Sequence, residues 1–196
     1  MNNRIIIVIT NRKDAVLGSM ERVLGSKFIV KTVFNGMPAG EDLLADNVLL
    51  VGFDSLDVSR AGEMIDIVKS SSAPILVLDG FVENEGIKEG IQELVKALPK
   101  DSNLIFNIDD KLIKEISSNA KESSFTFGFD DKADFKASDV NINGGLNFKL
   151  NYNGKIMPMW QNNPDNDYAY GALVASCVGM ILGFNLVEIS ELLKSN

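Results

Sequence analysis

The sequence predicts an α/β protein, a mostly parallel sheet flanked by helices with a small antiparallel β flap. Three observations predict it. Strand-like and helix-like segments alternate over roughly the first 130 residues, as βαβ units do. The opening run, Ile5 to Ile9, is apolar at every position, the mark of a strand covered on both faces. From Ala133 to Trp160 the apolar period changes to two, the period of half-buried antiparallel strands.

The elements follow in order. After the first strand, Val16, Leu17, Met20, Val23 and Leu24 share one helix face. Phe28 to Val33 reads as a second strand and Asn47 to Phe53 as a third. Met64, Ile65 and Val68 mark a helix that ends at the serines from Ser70. Pro74 to Leu78 is another buried strand, with Asp79 at its carboxyl end. Ile87, Ile91, Leu94, Val95 and Leu98 make a helical stripe stopped by Pro99. Leu104 to Asn107 is a strand, Leu112 to Ile116 a helix and Phe125 to Phe127 a strand. Val140, Ile142, Leu146, Phe148, Leu150 and Tyr152 then alternate with polar residues around Asn143-Gly-Gly145 and Asn153-Gly154, the signals of tight hairpins. Ala172, Leu173, Cys177, Met180 and Ile181 give a small-residue apolar helix ending at Gly183. Asn185 and Glu188 form a capping pair for a last helix through Leu193. No repeat or linker interrupts the chain, so residues 1–196 are expected to form a single domain, with the antiparallel subregion at about 133–160.

Composition excludes several chemistries. The 196 residues include no histidine and one cysteine, Cys177. Ser-His-Asp and Cys-His catalysis, histidine metal cages and an intrachain disulfide are therefore ruled out. A net charge of −8 argues against a general nucleic-acid or anionic-membrane binder, because neutralising phosphates takes clustered Lys and Arg. The apolar run at the N-terminus is too short for a membrane span or a signal-peptide core. With a single cysteine, a reducing cytoplasmic location is the expectation.

Several motifs, in order, resemble the central ATP-binding domain of the Mur ligases. Asn107-Ile-Asp-Asp110 after a strand matches the family's N-x-D-D. Phe125-Thr-Phe-Gly128 and Ala133-Asp-Phe-Lys-Ala-Ser-Asp139 follow at similar spacing. Gly171-Ala-Leu-Val-Ala-Ser-Cys177 and Leu182-Gly183 resemble the family's alanine-rich helix. The branch that adds D-alanyl-D-alanine looks nearest. The resemblance implies a P-loop-type sheet and a place in cell-wall precursor metabolism. It also implies ATP and Mg²⁺ as cofactors wherever the nucleotide site is kept.

That site departs from the family pattern. The family's G-x-x-G-K-T/S-T loop surrounds phosphates with glycine amides and adds a lysine and a metal-binding hydroxyl. Here the same stretch reads Thr10-Asn-Arg-Lys-Asp-Ala-Val-Leu17. Ala15 falls at the lysine position, Val16 at the hydroxyl position, and Asp14 brings a negative charge. Val51-Gly-Phe53 falls where a metal-binding Glu is expected, Ile91 where many members carry a carbamylated lysine, and Asp167-Tyr168 at a late His-Asn pair. The family's other histidine falls within Asp79-Gly-Phe-Val-Glu83.

The nucleotide-site candidates are therefore Asn107, Asp109, Asp110, Arg12 and Lys13. Asn107, Asp109 and Asp110 either keep adenine and ribose contacts, as the resemblance implies, or end a strand and cap a helix. Arg12 and Lys13 either bind an anion at a helix N-terminus or form an exposed basic pair. Asp79, Glu83 and Glu85 either hold a cation or lie in a solvated loop. Met157, Met159 and Trp160 either form a partner patch or close onto the sheet. Cys177 reads as an inert core thiol, and Lys88, Lys96 and Lys100 as the wet side of a helix. No catalytic residue and no metal ligand is assigned. The expected function is a non-catalytic Mur-ligase-like module that binds a protein partner or itself, with no cofactor and no membrane or nucleic-acid partner. The alternative is a divergent ATP-binding acid–amino-acid ligase domain working with a partner chain.

Overall fold

Along the first strand, β1 (Arg4–Ile9), Ile5, Ile7 and Ile9 enter one hydrophobic cluster while Ile6 and Val8 enter another. That alternation is why the run carries no polar residue: both faces of the strand lie under helices. The structure, a computed structural model, describes residues 4–39, 48–71, 73–82, 86–117 and 124–194. Glu83 and Glu85, and Asn47 at the start of the expected third strand, lie outside the described residues.

After β1 come α1 (Lys13–Leu24), β2 (Val30–Phe34), β3 (Val48–Phe53), α2 (Val58–Ser70), β4 (Ile75–Leu78) and α3 (Ile87–Ala97). Then follow β5 (Asn103–Asn107), α4 (Lys111–Ser117), β6 (Ser124–Gly128), β7 (Phe135–Asn141), β8 (Leu146–Tyr152) and β9 (Lys155–Gln161). Two helices, α5 (Asp167–Ile181) and α6 (Leu186–Lys194), close the series. The nine strands form one sheet in the order β2-β3-β1-β4-β5-β6-β7-β8-β9. Pairing is parallel from β2 to β7 and antiparallel from β7 to β9. The expected antiparallel region is thus the far end of the main sheet, joined to it by the parallel β6–β7 pair.

Helices α2, α3 and α4 supply the cluster on one face, with Met64, Val68, Ile91, Leu94 and Ile113 fully buried. Helices α1, α5 and α6 cover the other face. There Phe135, Ala137, Leu146, Phe148, Leu150 and Met159 point inward from β7–β9 at every second position. Each such apolar side chain contributes roughly 1.5–3 kcal/mol when fully buried. The β8–β9 turn uses Asn153 and Gly154, both at positive φ (47° and 72°), as a two-residue turn between right-twisted strands requires. Helix α5 is apolar on all sides because it is wedged between α1, α6 and the sheet. Asn185 Oδ1 accepts from the Val187 and Glu188 amides, and the Glu188 carboxylate accepts from the Asn185 amide, the expected capping pair.

At the sheet's last edge, Met159 is buried, Met157 and Trp160 are half-buried and Ile156 is exposed. The middle of this strand offers little to a further strand. Pro158 has no N–H, and its carbonyl accepts from Ser190 Oγ of α6 at 3.0 Å. Among the described residues, no helix is long and apolar enough to cross a membrane.

Candidate functional site

From β1 the chain runs to β2 and β3 on one side, then returns to β4 on the other. The order of strand addition therefore reverses between β1 and β4, and ligands in open α/β sheets sit outside the carboxyl ends of such strands. The β1–β4 register, ending at Ile9 opposite Leu78, brings the next residues, Thr10 and Asp79, together at that point. Both are completely buried. Thr10 Oγ1 donates to Asp79 Oδ2 at 2.7 Å and accepts from the Arg12 amide at 2.9 Å.

Arg12 then folds back over this pair. Its Nη1 donates to Asp79 Oδ1 at 3.0 Å and its Nε to Asp167 Oδ1 at 2.8 Å. Its guanidinium carbon lies 4.2 Å from the Tyr170 ring centroid. Burial works against the Arg12 cation, but the two carboxylates outweigh it and raise its pKa above the ordinary arginine value. Burial pushes the Asp79 carboxyl above the usual carboxylate range, against the opposing pull of Arg12 and Thr10. Arg12 is thus the linchpin of a part-buried ion-paired cluster, and the exposed basic pair expected at this position is not what forms. Lys13 is exposed, with Nζ 4.8 Å from the Phe34 ring centroid. Asp79, expected in a solvated loop or a cation site, is the cluster's innermost anion.

The second group of candidates lies beyond β5. Asn107 is buried; its Nδ2 donates to the Asp79 carbonyl at 3.0 Å and its Oδ1 accepts from the Asp109 amide. Asp110 Oδ1 accepts from the Leu112 and Ile113 amides at 2.9 and 3.0 Å, capping α4. Asp109 accepts from the Phe129 and Asp130 amides at 2.7 and 2.9 Å and from Tyr170 Oη at 2.9 Å. Gly128 lets the chain pass this carboxylate, since a Cβ there would sit 2.6 Å from Asp109 Oδ2. Burial, then the hydrogen bond to Asp109, pushes the Tyr170 phenol well above its ordinary range. The structure brings Arg12, Asn107, Asp109 and Asp110 to the carboxyl ends of β1 and β5, with Lys13 beside Arg12 on the wall of the adjoining cleft. Three of them are joined through Asp79 and Tyr170.

Tyr170 and Gly171 are site residues that motif reading passed over as sites. At Gly171 a Cβ would lie 2.2 Å from the Ala15 carbonyl, so α5 rests directly on the first turn of α1. That contact sets where Asp167 and Tyr170 meet Arg12. A glycine inside an otherwise alanine-rich helix was the available signal. Outside the cluster lies an open cleft of about 510 Å³, lined by Asn11 to Ala15 on one side and by Asn163, Asp165, Asp167 and Tyr168 on the other.

The family profile described as Mur ligase middle domain matches residues 78–179. The chain belongs to the Mur ligase middle-domain family. A UDP-N-acetylmuramate–L-alanine ligase of Xylella fastidiosa (strain M12) is 29% identical over 181 residues, covering 88% of this chain and 37% of the ligase. The Clostridium botulinum (strain Alaska E43 / Type E3) ligase of the same description is 30% identical over 115 residues, 57% of this chain and 25% of the ligase. The chain therefore spans well under half of these curated relatives.

Among solved structures, a D-alanyl-D-alanyl-adding ligase of Acinetobacter baumannii superposes with a TM-score of 0.76 at 15% identity, covering 100% of this chain and 46% of that one. The MurF ligase of Thermotoga maritima in complex with ADP gives 0.71 at 16% identity, covering 97% and 48%. These structures share the fold. The sequence relatives are named for L-alanine and the Acinetobacter structure for D-alanyl-D-alanine, so what is shown is the family.

Proposed function

We propose that this Mur-type middle domain is a binding or interaction module in cell-wall precursor metabolism, not an ATP-driven ligase centre. The observation that carries the reading is the commitment of Arg12. Arg12, at the strand crossover point, is held by Asp79 and Asp167 and stacked on Tyr170. A triphosphate entering the cleft would meet Asp14, Asp165 and Asp167 against Lys13 and an already neutralised Arg12. Phosphoryl transfer depends on cations placed against the developing charge. Three carboxylates on the cleft wall and a paired Arg12 are a poor match to the cations that Mg-ATP chemistry requires, and no catalytic step is assigned to these residues. Within this reading the partner is a protein or a second copy of the chain, in a cytoplasmic setting.

Isothermal titration with Mg-ATP and Mg-ADP tests it. The expected result is no heat at millimolar nucleotide. Micromolar binding that is lost in the Arg12→Ala, Lys13→Ala double variant would overturn the reading. A second reading, a divergent ATP-binding amide-ligase domain completed by a partner chain, is favoured by the open cleft at the strand ends. The ADP-bound relative of like fold also speaks for it. Micromolar nucleotide binding is its expected outcome.

A further inference from the structure

We infer that Asp167 is a built-in competitor that occupies the anion-binding side of Arg12, so that removing it uncovers an oxyanion site in the cleft. The inference deepens the reading above by naming what keeps this cleft closed to anions. The two carboxylates on Arg12 are not equivalent. Asp79 is fully buried, bonded also by Thr10, and belongs to the sheet. The Asp167 side chain is 49% exposed and sits in the first turn of α5, just after the exposed segment 162–166. It takes Arg12 Nε at 2.8 Å from the cleft side, where Asp167 and Arg12 both line the wall. An entering carboxylate or phosphate would reach the guanidinium from that side and would have to displace it. Arg12 favours such partners by geometry, since its planar fork pairs with oxyanions.

Competition by a tethered group lowers apparent affinity by the fraction of time the site is open. If the Arg12–Asp167 pair is closed nine-tenths of the time or more, freeing Arg12 strengthens anion binding by about tenfold or more. Removing a negative charge that does not touch Arg12 should do much less. Asp165 provides that control: it lines the same cleft, and its side chain bonds the Asp167 amide.

The experiment titrates inorganic phosphate, and separately acetate, into the full chain and into Asp167→Ala, Asp167→Asn and Asp165→Asn, with folding checked by thermal melts. The expected result is binding at least tenfold tighter in the Asp167 variants, lost again when Arg12→Ala is added, with Asp165→Asn gaining several-fold less than either Asp167 variant. The tighter of the two probes identifies the oxyanion class. No gain in either folded Asp167 variant, or an equal gain in Asp165→Asn, would overturn the inference. Nucleotide titration of the unaltered chain separates the two ideas. Silence there with no gain in the Asp167 variants defeats only the competitor; micromolar nucleotide binding by the unaltered chain defeats the non-catalytic reading and the competitor with it.

Discussion

Asp110 beyond β5 and Arg12 beyond β1 lie past the ends of parallel strands and are stabilised over different distances along the chain. Asp110 bonds amides two and three residues away. Beyond β1, Arg12 reaches Asp79 and Asp167, 67 and 155 residues away. The first arrangement is local backbone satisfaction, which short polar side chains supply wherever a strand passes into a helix. The second is a part-buried charge cluster, with Asp79 at its buried end, that exists only once the sheet and α5 are assembled. Breaking them should therefore have unequal effects.

The largest effect is expected from Asp79→Ala, which leaves Arg12 with one carboxylate and Thr10 without its acceptor. Losing the hydrogen bonds to this charged group costs about 2 kcal/mol, read as a shift in urea midpoint at constant slope. A double-variant cycle sharpens the contrast: Asp79→Ala and Arg12→Ala should couple, whereas Asp79→Ala and Asp110→Ala share no partner and should add. A smaller loss, about 1 kcal/mol, is expected for Asp110→Ala, the cost of one helix cap. If it matched the loss at Asp79, the contrast drawn here would fail.

The smallest effect in neutral solution is expected for Tyr170→Phe, about 1 kcal/mol for one hydrogen bond. Its sharper readout is pH. The folded phenol ionises above its ordinary value, so the stability it contributes is fully present below pH of about 10. That stability is lost as pH rises through the folded value. Tyrosinate absorbance followed into strong alkali should show a late-ionising phenol that disappears in Tyr170→Phe.

The same division explains what could be read in advance. The apolar run of β1, the stripe of α3, the Asn153-Gly154 turn and the Asn185–Glu188 cap are patterns within a few residues, and each forms where its spacing indicates. The cap by Asp110 belongs with them. Arg12 misled because its neighbours Lys13 and Asp14 suggest a wet surface, while its partners are set by strand register and by where α5 comes to rest. Asp79 misled for the same reason, since nothing adjacent to it indicates complete burial. The attachment of the antiparallel strands to the main sheet depends on the parallel β6–β7 pair, which leaves no local periodic signal.

The absent side chain at position 171 has a reach beyond its own packing. With a hydrogen there, two helices touch backbone to backbone at Ala15, and the aromatic ring and carboxylate that clasp Arg12 are carried on the next turn back. A bulkier residue would lever that turn outward and widen the cleft mouth. The calibre of the opening is thus set by an atom that no bound molecule would ever touch.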